Sequence, residues 1–279
     1  MAGNKVYFSL EEALQEPLEV KLLDLPYKDM GIIPASICEL KNLQKLNLYE
    51  NQLDALPESF AELKNLEWLD LQRNFLSVLP SRFHELTKLE YLNLYKNELV
   101  SLPENLGNMK NLVWLYLKRN NLSSLPDSIT ELEKLEFFGA EYNSIPEIPE
   151  KIGDLKNLEY LSLIGNNIKI IPESLAELKN LNWLSLAENE LTVLPEKIGN
   201  LSNLDKLDLH SNKLESLPES IGNLEKLEYL TLTNNKLTSL PDSIKNLSNL
   251  KYLSLMENNF SEEEKNRIKE LLPNTEITW

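Results

Sequence analysis

The side chains best suited to holding another molecule are aromatic and basic residues that return every 23 positions. One series is aromatic and the other is basic: Trp68, Tyr91, Trp114 and Phe137, then Arg73, Lys96 and Arg119. Tryptophan, tyrosine and arginine are preferred anchors of protein interfaces, since they combine a large apolar surface with a polar group. These residue types therefore indicate non-covalent binding.

A strict period sets the positions of both series. Ten asparagines stand 23 residues apart without insertion or deletion, at Asn51, Asn74, Asn97, Asn120, Asn143, Asn166, Asn189, Asn212, Asn235 and Asn258. A constant period of this length predicts a solenoid, in which each repeat is one supersecondary unit packed against its neighbours. A solenoid displays a long surface and lacks a deep cleft.

Each repeat contains two patterns of apolar residues. Residues 204–224 read L-x-x-L-x-L-x-x-N-x-L-x-x-L-P-x-x-I-x-x-L, a phrase that the other repeats share. The L-x-L part has a period of two and predicts a short strand with its leucines buried. The L-P-x-x-I-x-x-L part has a period near three and predicts a 3₁₀ turn or short helix.

This phrase resembles the leucine-rich repeat family, in the 23-residue subtype with Leu-Pro after the strand, over about residues 20–260. The resemblance implies an α/β horseshoe with a parallel β-sheet on its concave face and 3₁₀ or short helices on its convex side. It also implies that each asparagine side chain bonds backbone groups of its own and neighbouring turns in a buried ladder. The repeats are most similar to those of bacterial proteins, including spirochaetal families that are often exported. Cytosolic Ras-pathway scaffold repeats of eukaryotes are the second resemblance.

The repeats predict one complete domain with a cap at each end. Residues 1–19 are expected to form an N-terminal capping helix, residues 20–260 eleven repeat units with the last one truncated, and residues 261–279 a C-terminal capping helix and tail. Ser9 to Glu12 and Ser261 to Glu264 have the capping-box pattern that opens a helix. The end units depart from the repeat, as expected where a bare apolar edge has to be covered.

Bulk properties restrict the partners and leave the compartment open. With 44 acidic and 28 basic residues the net charge is −16, which argues against nucleic acid and anionic membranes as partners. No apolar run suffices for membrane insertion, and the start lacks the features of a signal peptide. The chain as written is thus expected in the cytoplasm, whereas a leader removed from the sequence would make it secreted or cell-surface. Its single cysteine, Cys38, favours a bacterial or intracellular protein.

The position before the first strand leucine faces solvent and carries an aromatic residue in six successive repeats. We call this series the aromatic column: Leu22, Lys45, Trp68, Tyr91, Trp114, Phe137, Tyr160, Trp183, Lys206, Tyr229 and Tyr252. Neighbouring positions on the same face add Tyr95, Tyr116 and Tyr142. Two interpretations stay open, because stacked rings can cover and stabilise a sheet, whereas an exposed aromatic patch can mark an interface.

Three basic residues follow the strands of consecutive repeats, and a fourth lies beside them. We call Arg73, Lys96, Lys118 and Arg119 the basic cluster. Most of the net negative charge lies off the concave face, so the cluster is expected to stand out there. The predicted binding site comprises Trp68, Arg73, Tyr91, Tyr95, Lys96, Trp114, Tyr116, Lys118, Arg119, Phe137 and Tyr142. One repeat is irregular, and its strand is expected to place Gly139 on the surface and Ala140 inside.

No combination of residues predicts catalysis. His84 and His210 are more than a hundred residues apart, no Cys/His spacing suits zinc, and no glycine loop resembles a phosphate cradle. We therefore expect neither an enzyme nor a cofactor or metal.

The leading hypothesis is a non-enzymatic protein-interaction module, expected to be a monomer. Its partner would be a protein or peptide with apolar and acidic side chains. Carbohydrate or cell-surface adhesion is the first alternative, because stacked aromatic rings also suit sugars. A self-associating structural protein is the second.

Overall fold

Most repeats fold into a three-residue strand, a turn and a short 3₁₀ helix, in a computed structural model that describes residues 5–279. The alternation of the Leu-x-Leu step sets the strand, with both leucines inward. The proline of the Leu-Pro step caps several of the 3₁₀ helices, as at Pro57, where φ is −65° and ψ is 146°. Proline is suited to this position because its ring holds φ near that value and it has no N–H to satisfy.

The chain divides into two compact units, Met1–Asn143 and Ser144–Trp279, called unit 1 and unit 2. In unit 1 the strands pair in chain order, and these pairs are parallel. The strands are β1 (Val6–Tyr7), β2 (Leu22–Asp24), β3 (Lys45–Asn47), β4 (Trp68–Asp70), β5 (Tyr91–Asn93), β6 (Trp114–Tyr116) and β7 (Phe137–Gly139), with helix α1 at Leu10–Ala13. The 3₁₀ helices span Ala35–Glu39, Glu58–Glu62, Phe83–Glu85, Leu106–Asn108 and Asp127–Glu131.

Unit 2 repeats the arrangement, again with parallel pairs in chain order. Its strands are β8 (Tyr160–Ser162), β9 (Trp183–Ser185), β10 (Lys206–Asp208), β11 (Tyr229–Thr231), β12 (Tyr252–Ser254) and β13 (Glu276–Thr278), with helix α2 at Glu262–Leu271. The 3₁₀ helices span Ile152–Asp154, Glu173–Glu177, Ile198–Asn200, Glu219–Asn223 and Asp242–Asn246. The predicted class, an α/β solenoid of parallel strands and 3₁₀ turns, is confirmed.

The core of each unit consists of the leucines and isoleucines of the repeat. In residues 204–224 every apolar position of the repeated phrase is buried, with exposed fractions of 7% or less. Burial of such a side chain stabilises the fold by about 1.5–3 kcal/mol. The inward direction predicted from the period is therefore confirmed.

The asparagines form the ladder that the family resemblance implies. Asn97 Nδ2 donates to the carbonyl oxygens of Leu71 (2.9 Å) and Leu94 (3.1 Å), and Asn97 Oδ1 accepts from the Leu76 amide (3.1 Å). One side chain thus satisfies backbone groups of its own strand and of the preceding repeat, where no water can reach them. The role of the asparagines is structural.

The residue just before each ladder asparagine has a left-handed backbone conformation. Its φ lies between 52° and 65° in the regular repeats: Glu50, Arg73, Lys96, Arg119, Tyr142, Gly165, Glu188, Ser211, Asn234 and Glu257. This conformation turns the chain sharply after the strand and costs a residue with a Cβ about 1–2 kcal/mol. Three members of the basic cluster are in this row, so their backbone is fixed by the repeat.

Both predicted helix starts have half of the capping box. Ser9 Oγ accepts from the Glu12 amide (3.4 Å), and Ser261 Oγ accepts from the Glu264 amide (3.2 Å). The glutamates bind elsewhere: Glu12 pairs with Lys5 (3.1 Å), and Glu264 Oε1 accepts from the Leu240 amide (3.0 Å). Helix α1 ends at Ala13. The division into caps and repeats stays a prediction.

Candidate functional site

The aromatic column of unit 1 is a contiguous stack on the solvent face of the sheet. The pairing of β4 to β7 sets Trp68, Tyr91, Trp114 and Phe137 side by side. The ring centroids of Trp68 and Tyr91 are 5.0 Å apart, and those of Tyr91 and Trp114 are 6.5 Å apart. Strand register thus brings together residues that are 23 positions apart in the sequence.

Tyr116 joins this stack because β6 has an aromatic residue at its third position, where the neighbouring strands have polar residues. Strands β4 and β5 have Asp70 and Asn93 there, whose oxygens accept from the amides two residues later at 2.8 and 3.0 Å. Tyr116 cannot form that bond, and its ring instead lies on the face, 5.5 Å from Tyr91 and 4.5 Å from Phe137 between centroids. Such contacts stabilise an aromatic cluster by about 0.5–1.5 kcal/mol per pair.

Burial alters the acid–base properties beneath the stack. It raises the pKa of Tyr91 to about 12, with the nearby Asp70 carboxylate adding to the effect. Burial also raises the pKa of Asp70, against the opposing hydrogen bond from the Gln72 amide. The Tyr91 phenol therefore keeps its proton to a more alkaline pH than an ordinary tyrosine does.

The basic cluster forms two groups. Lys118 Nζ lies 5.5 Å from the centroid of the Tyr142 ring, and the guanidinium carbon of Arg119 lies 5.8 Å from it. Arg73 pairs with Glu50 at 3.2 Å, and its guanidinium carbon lies 5.9 Å from the Tyr49 ring. Within residues 5–279, no ion pair with a carboxylate forms at Lys96, Lys118 or Arg119.

The predicted residues differ in exposure. Trp114 and Tyr142 are 39% and 40% exposed, while Trp68, Tyr91 and Phe137 are half-buried. Tyr95 is half-buried at the end of β5, and no ring contact is recorded for it among the described residues. The exposed part of the predicted site therefore consists of Trp114, Tyr142 and the two cations beside Tyr142.

Gly139 is buried, so its predicted surface position is wrong. The Phe137 ring and the Glu141 carboxylate cover it, at 3.2 and 3.1 Å from where a Cβ would stand. Glu141 itself is only 8% exposed. Ala140 is inside as expected, beside the fully buried Phe138. The 23-residue period could not reveal this, because it does not show that neighbouring side chains cover a glycine, which has no side chain of its own.

Two further residues adjoin the site and were not among the predicted residues. The rings of Tyr27 and Tyr49 meet edge to face, with centroids 5.0 Å apart. A hydrogen bond with Tyr27 raises the pKa of Tyr49 to about 12. Their spacing of 22 residues falls outside the 23-residue columns, which is why a column-by-column comparison misses the contact.

Comparison with known families identifies the repeats. A model described as "Leucine-rich repeat region" matches residues 82–165 and 173–277, more than half of the chain. A second model, "Leucine rich repeat", matches residues 20–76 and 148–191. The chain belongs to the leucine-rich repeat family. A comparison with curated proteins gave no match.

Solved leucine-rich repeat structures are similar over nearly the whole chain. The Leptospira interrogans protein LIC12759 is 31% identical, with 99% of this chain and 100% of that chain covered and a TM-score of 0.56. A TDR receptor is 30% identical, with 99% and 50% covered and a TM-score of 0.85. The predicted resemblance to bacterial leucine-rich repeat proteins is thereby confirmed.

A plant receptor adds a structure solved with a bound partner. The ectodomain of the receptor kinase GASSHO1/SCHENGEN3 from Arabidopsis thaliana, in complex with Casparian strip integrity factor 2, is 29% identical. The alignment covers 92% of this chain but 38% of that one, with a TM-score of 0.62. The chain therefore spans half or less of the length of these two receptors.

Two further features are absent from the described residues, 5–279. Neither α1 nor α2 has the length and apolar character to cross a membrane. No three histidine, cysteine, aspartate or glutamate side chains gather there in a way that would hold a metal ion.

Proposed function

We propose that unit 1 is a non-enzymatic protein-binding module whose partner contacts Trp68, Tyr91, Trp114 and Phe137 of the aromatic column, together with the basic cluster, on the solvent face of the sheet. The partner, a protein or peptide, presents apolar side chains to Trp114 and Tyr142 and carboxylates to the cations beside them. Aromatic and arginine side chains are the usual anchors of such interfaces.

One observation supports the proposal most strongly. Lys96, Lys118 and Arg119 form no ion pair within the described chain, although acidic residues outnumber basic ones 44 to 28. Some other lysines of unit 1 pair with carboxylates, as Lys41 does with Glu62 and Lys64 with Glu85, both at 2.6 Å, whereas others, such as Lys45, do not. A cation left unpaired beside an exposed aromatic ring can bind a carboxylate from another molecule.

The similar structures agree with this class of function. The Arabidopsis receptor ectodomain is a leucine-rich repeat domain solved in complex with Casparian strip integrity factor 2. We extend partner binding from that protein to this chain on the strength of the exposed rings and unpaired cations of unit 1.

The test is an affinity capture that compares three forms of the immobilised protein in bacterial and host lysates. The first is wild type and the second is Trp114→Ala/Arg119→Glu. The third is a matched control in unit 2, Trp183→Ala/Lys206→Glu, which removes another exposed tryptophan and a cation 4.8 Å from its ring.

The proposal expects a protein that wild type and the control capture and the Trp114/Arg119 variant does not. Raising the NaCl concentration should weaken that capture, because salt screens exposed charges. If all three forms capture the same proteins, or none captures any, the proposal is wrong. Glycan binding and self-association would then be the better hypotheses.

A further inference from the structure

The solvent face of β9, β10 and β11 in unit 2 has a different chemistry from the site proposed in unit 1. We call it the β9–β11 face: the outward side chains of these strands and of the turns that follow them, at residues 187–188, 210–211 and 233–234. With its histidine neutral, three of its side chains are charged at pH 7, namely Lys206, Asp208 and Glu188. The ligand that this face selects therefore depends on whether these three charges are open or already engaged.

Lys206 is held between two aromatic rings. Its Nζ lies 4.8 Å from the centroid of the Trp183 ring and 5.3 Å from that of the Tyr229 ring. An ammonium is attracted to the face of such a ring. Because both distances are measured to one atom, the two rings and the ammonium form one continuous surface. Trp183 and Tyr229 are 38% and 39% exposed, so this surface is open to solvent.

Both carboxylates of the face are engaged by their neighbours. Asp208 Oδ2 accepts from Ser185 Oγ at 3.2 Å, and Asp208 Oδ1 lies 2.8 Å from His210 Nδ1. The other ring nitrogen, His210 Nε2, lies 3.6 Å from Glu188 Oε1. Since the carboxylates already have partners and outnumber the single lysine, the face offers no free anion to a cation and no net positive charge to an anion.

The hydrogen-bonding groups that stay open on this face are uncharged hydroxyls and the donors of Lys206. Within residues 5–279 the hydroxyls of Tyr229 and Thr231 form no hydrogen bond, and Lys206 pairs with no carboxylate. A hydroxyl both donates and accepts, and an ammonium has three donors. No second aromatic ring of the described chain stacks on Tyr229. A matching ligand therefore has an apolar surface, several hydroxyls and no charge.

We propose that the β9–β11 face binds a neutral carbohydrate, whose C–H surface packs on the Tyr229 ring and whose hydroxyls bond to Lys206, Tyr229 and Thr231. A sugar ring has C–H groups on one face and hydroxyls around its edge, so it can satisfy the aromatic surface and the open polar groups together. A purely apolar ligand would leave those polar groups without partners. The inference concerns another unit and another class of ligand, so it does not depend on the proposed function of unit 1.

An anionic ligand suits this face less well than a neutral one. A sulfated sugar or an acidic peptide would meet one cation beside the two carboxylates Asp208 and Glu188. Like charges placed close together across an interface oppose binding. A hydroxyl can instead donate to a carboxylate or accept from Lys206 without any charge of its own.

The experiment screens a printed array of neutral, sialylated and sulfated oligosaccharides with the full chain coupled to fluorescent beads. Multivalent display raises the apparent affinity, so weak contacts with a single sugar are detected. A neutral oligosaccharide should be bound, and added NaCl should not weaken this binding, because salt screens charges and the contact has no ion pair. Isothermal titration calorimetry then gives the dissociation constant of that oligosaccharide in free form.

Three substitutions separate the contribution of the ring from that of the hydroxyls. Tyr229→Ala should weaken binding at least about tenfold, because it removes an aromatic contact and a hydrogen bond. Tyr229→Phe keeps the ring and should fall between wild type and Tyr229→Ala. Thr231→Val has nearly the same shape as threonine and should weaken binding about threefold or more through the lost hydroxyl. The unit 1 variant Trp114→Ala/Arg119→Glu is the control and should bind the oligosaccharide as wild type does.

The inference is overturned if no oligosaccharide binds above protein-free beads, or if only sialylated or sulfated ones do. Wild-type affinity in Tyr229→Ala and Thr231→Val, or lost affinity in the unit 1 variant, would also overturn it. Circular dichroism checks that each variant is folded, and Tyr229→Phe and Thr231→Val decide the outcome if Tyr229→Ala is not. Lysate capture through Trp114 and Arg119 concerns unit 1 alone, so either proposal can fail without the other.

Discussion

The rings of Trp68 and Tyr91 lie face to face, with planes inclined by only 10°. Each ring therefore uses one face within the sheet, and Tyr91 also contacts Trp114 and Tyr116. Trp114, in contrast, leaves 39% of its surface to solvent. The two interpretations of the aromatic column can thus apply to different members of it. Trp68 and Tyr91 chiefly cover the sheet, and Trp114 keeps the exposed surface that the proposed partner would contact.

This division predicts that two tryptophan substitutions differ in their effects on stability and on binding. Trp68→Ala should lower the free energy of unfolding by about 1–3 kcal/mol, because it removes a stacked pair and its buried area. Trp114→Ala should cost less than about 1 kcal/mol but abolish partner capture. Urea denaturation followed by circular dichroism gives the first quantity and affinity capture the second. Equal stability losses would contradict the division.

The asparagine ladder predicts a larger loss at one buried side chain. Asn97→Ala leaves the buried Leu76 amide without its partner and removes one of two donors at the Leu71 and Leu94 carbonyls, which keep Asn74 and Asn120. The unsatisfied amide costs about 1–3 kcal/mol and each of the two lost hydrogen bonds about 0.5–1.5 kcal/mol, so we expect a total loss of roughly 3 kcal/mol. Asn121→Ala is the control, since that exposed side chain makes one long bond of 3.5 Å to the Glu98 carbonyl. Similar urea midpoints for the two variants would refute the role of the ladder.

The sequence determined the fold more fully than the site. The 23-residue period placed the strands, the buried leucines and the outward columns, because these depend on local alternation and on exact repetition. It could not show that Gly139 lies under the Glu141 and Phe137 side chains. Nor could it show that Glu50 neutralises Arg73 while Lys96 remains unpaired. Such pairings depend on the direction in which each side chain extends toward the next repeat. A comparison of residue types at equivalent positions does not give that direction.

The left-handed row predicts that glycine is favoured at one position of the repeat. Ser211 has φ of 53°, and Gly165 already occupies the equivalent place with φ of 65°. Ser211→Gly should raise the free energy of unfolding by up to about 1 kcal/mol, since relief of 1–2 kcal/mol of strain exceeds the entropy cost of glycine. Ser211→Val should lower it by at least about 1 kcal/mol, because a β-branched residue is least tolerant of positive φ. Thermal unfolding of the two variants and wild type would show the order, and a Val variant as stable as wild type would exclude this explanation.

Tyr91 predicts a loss of stability at alkaline pH. Burial raises its pKa to about 12 in the folded chain, whereas an unfolded tyrosine titrates near 10. Between these values the folded state keeps a proton that the unfolded state has lost, so the contribution is complete below pH 10 and disappears as pH rises to 12. Tyr91→Phe has no proton to lose at this position and should therefore show a shallower decline of urea midpoint from pH 10 to 12 than wild type. The lysines and the other tyrosines titrate in both proteins. The difference between the two plots of urea midpoint against pH therefore reports the ionisation of Tyr91. Parallel curves would mean that the Tyr91 phenol ionises as readily in the folded stack as in the unfolded chain.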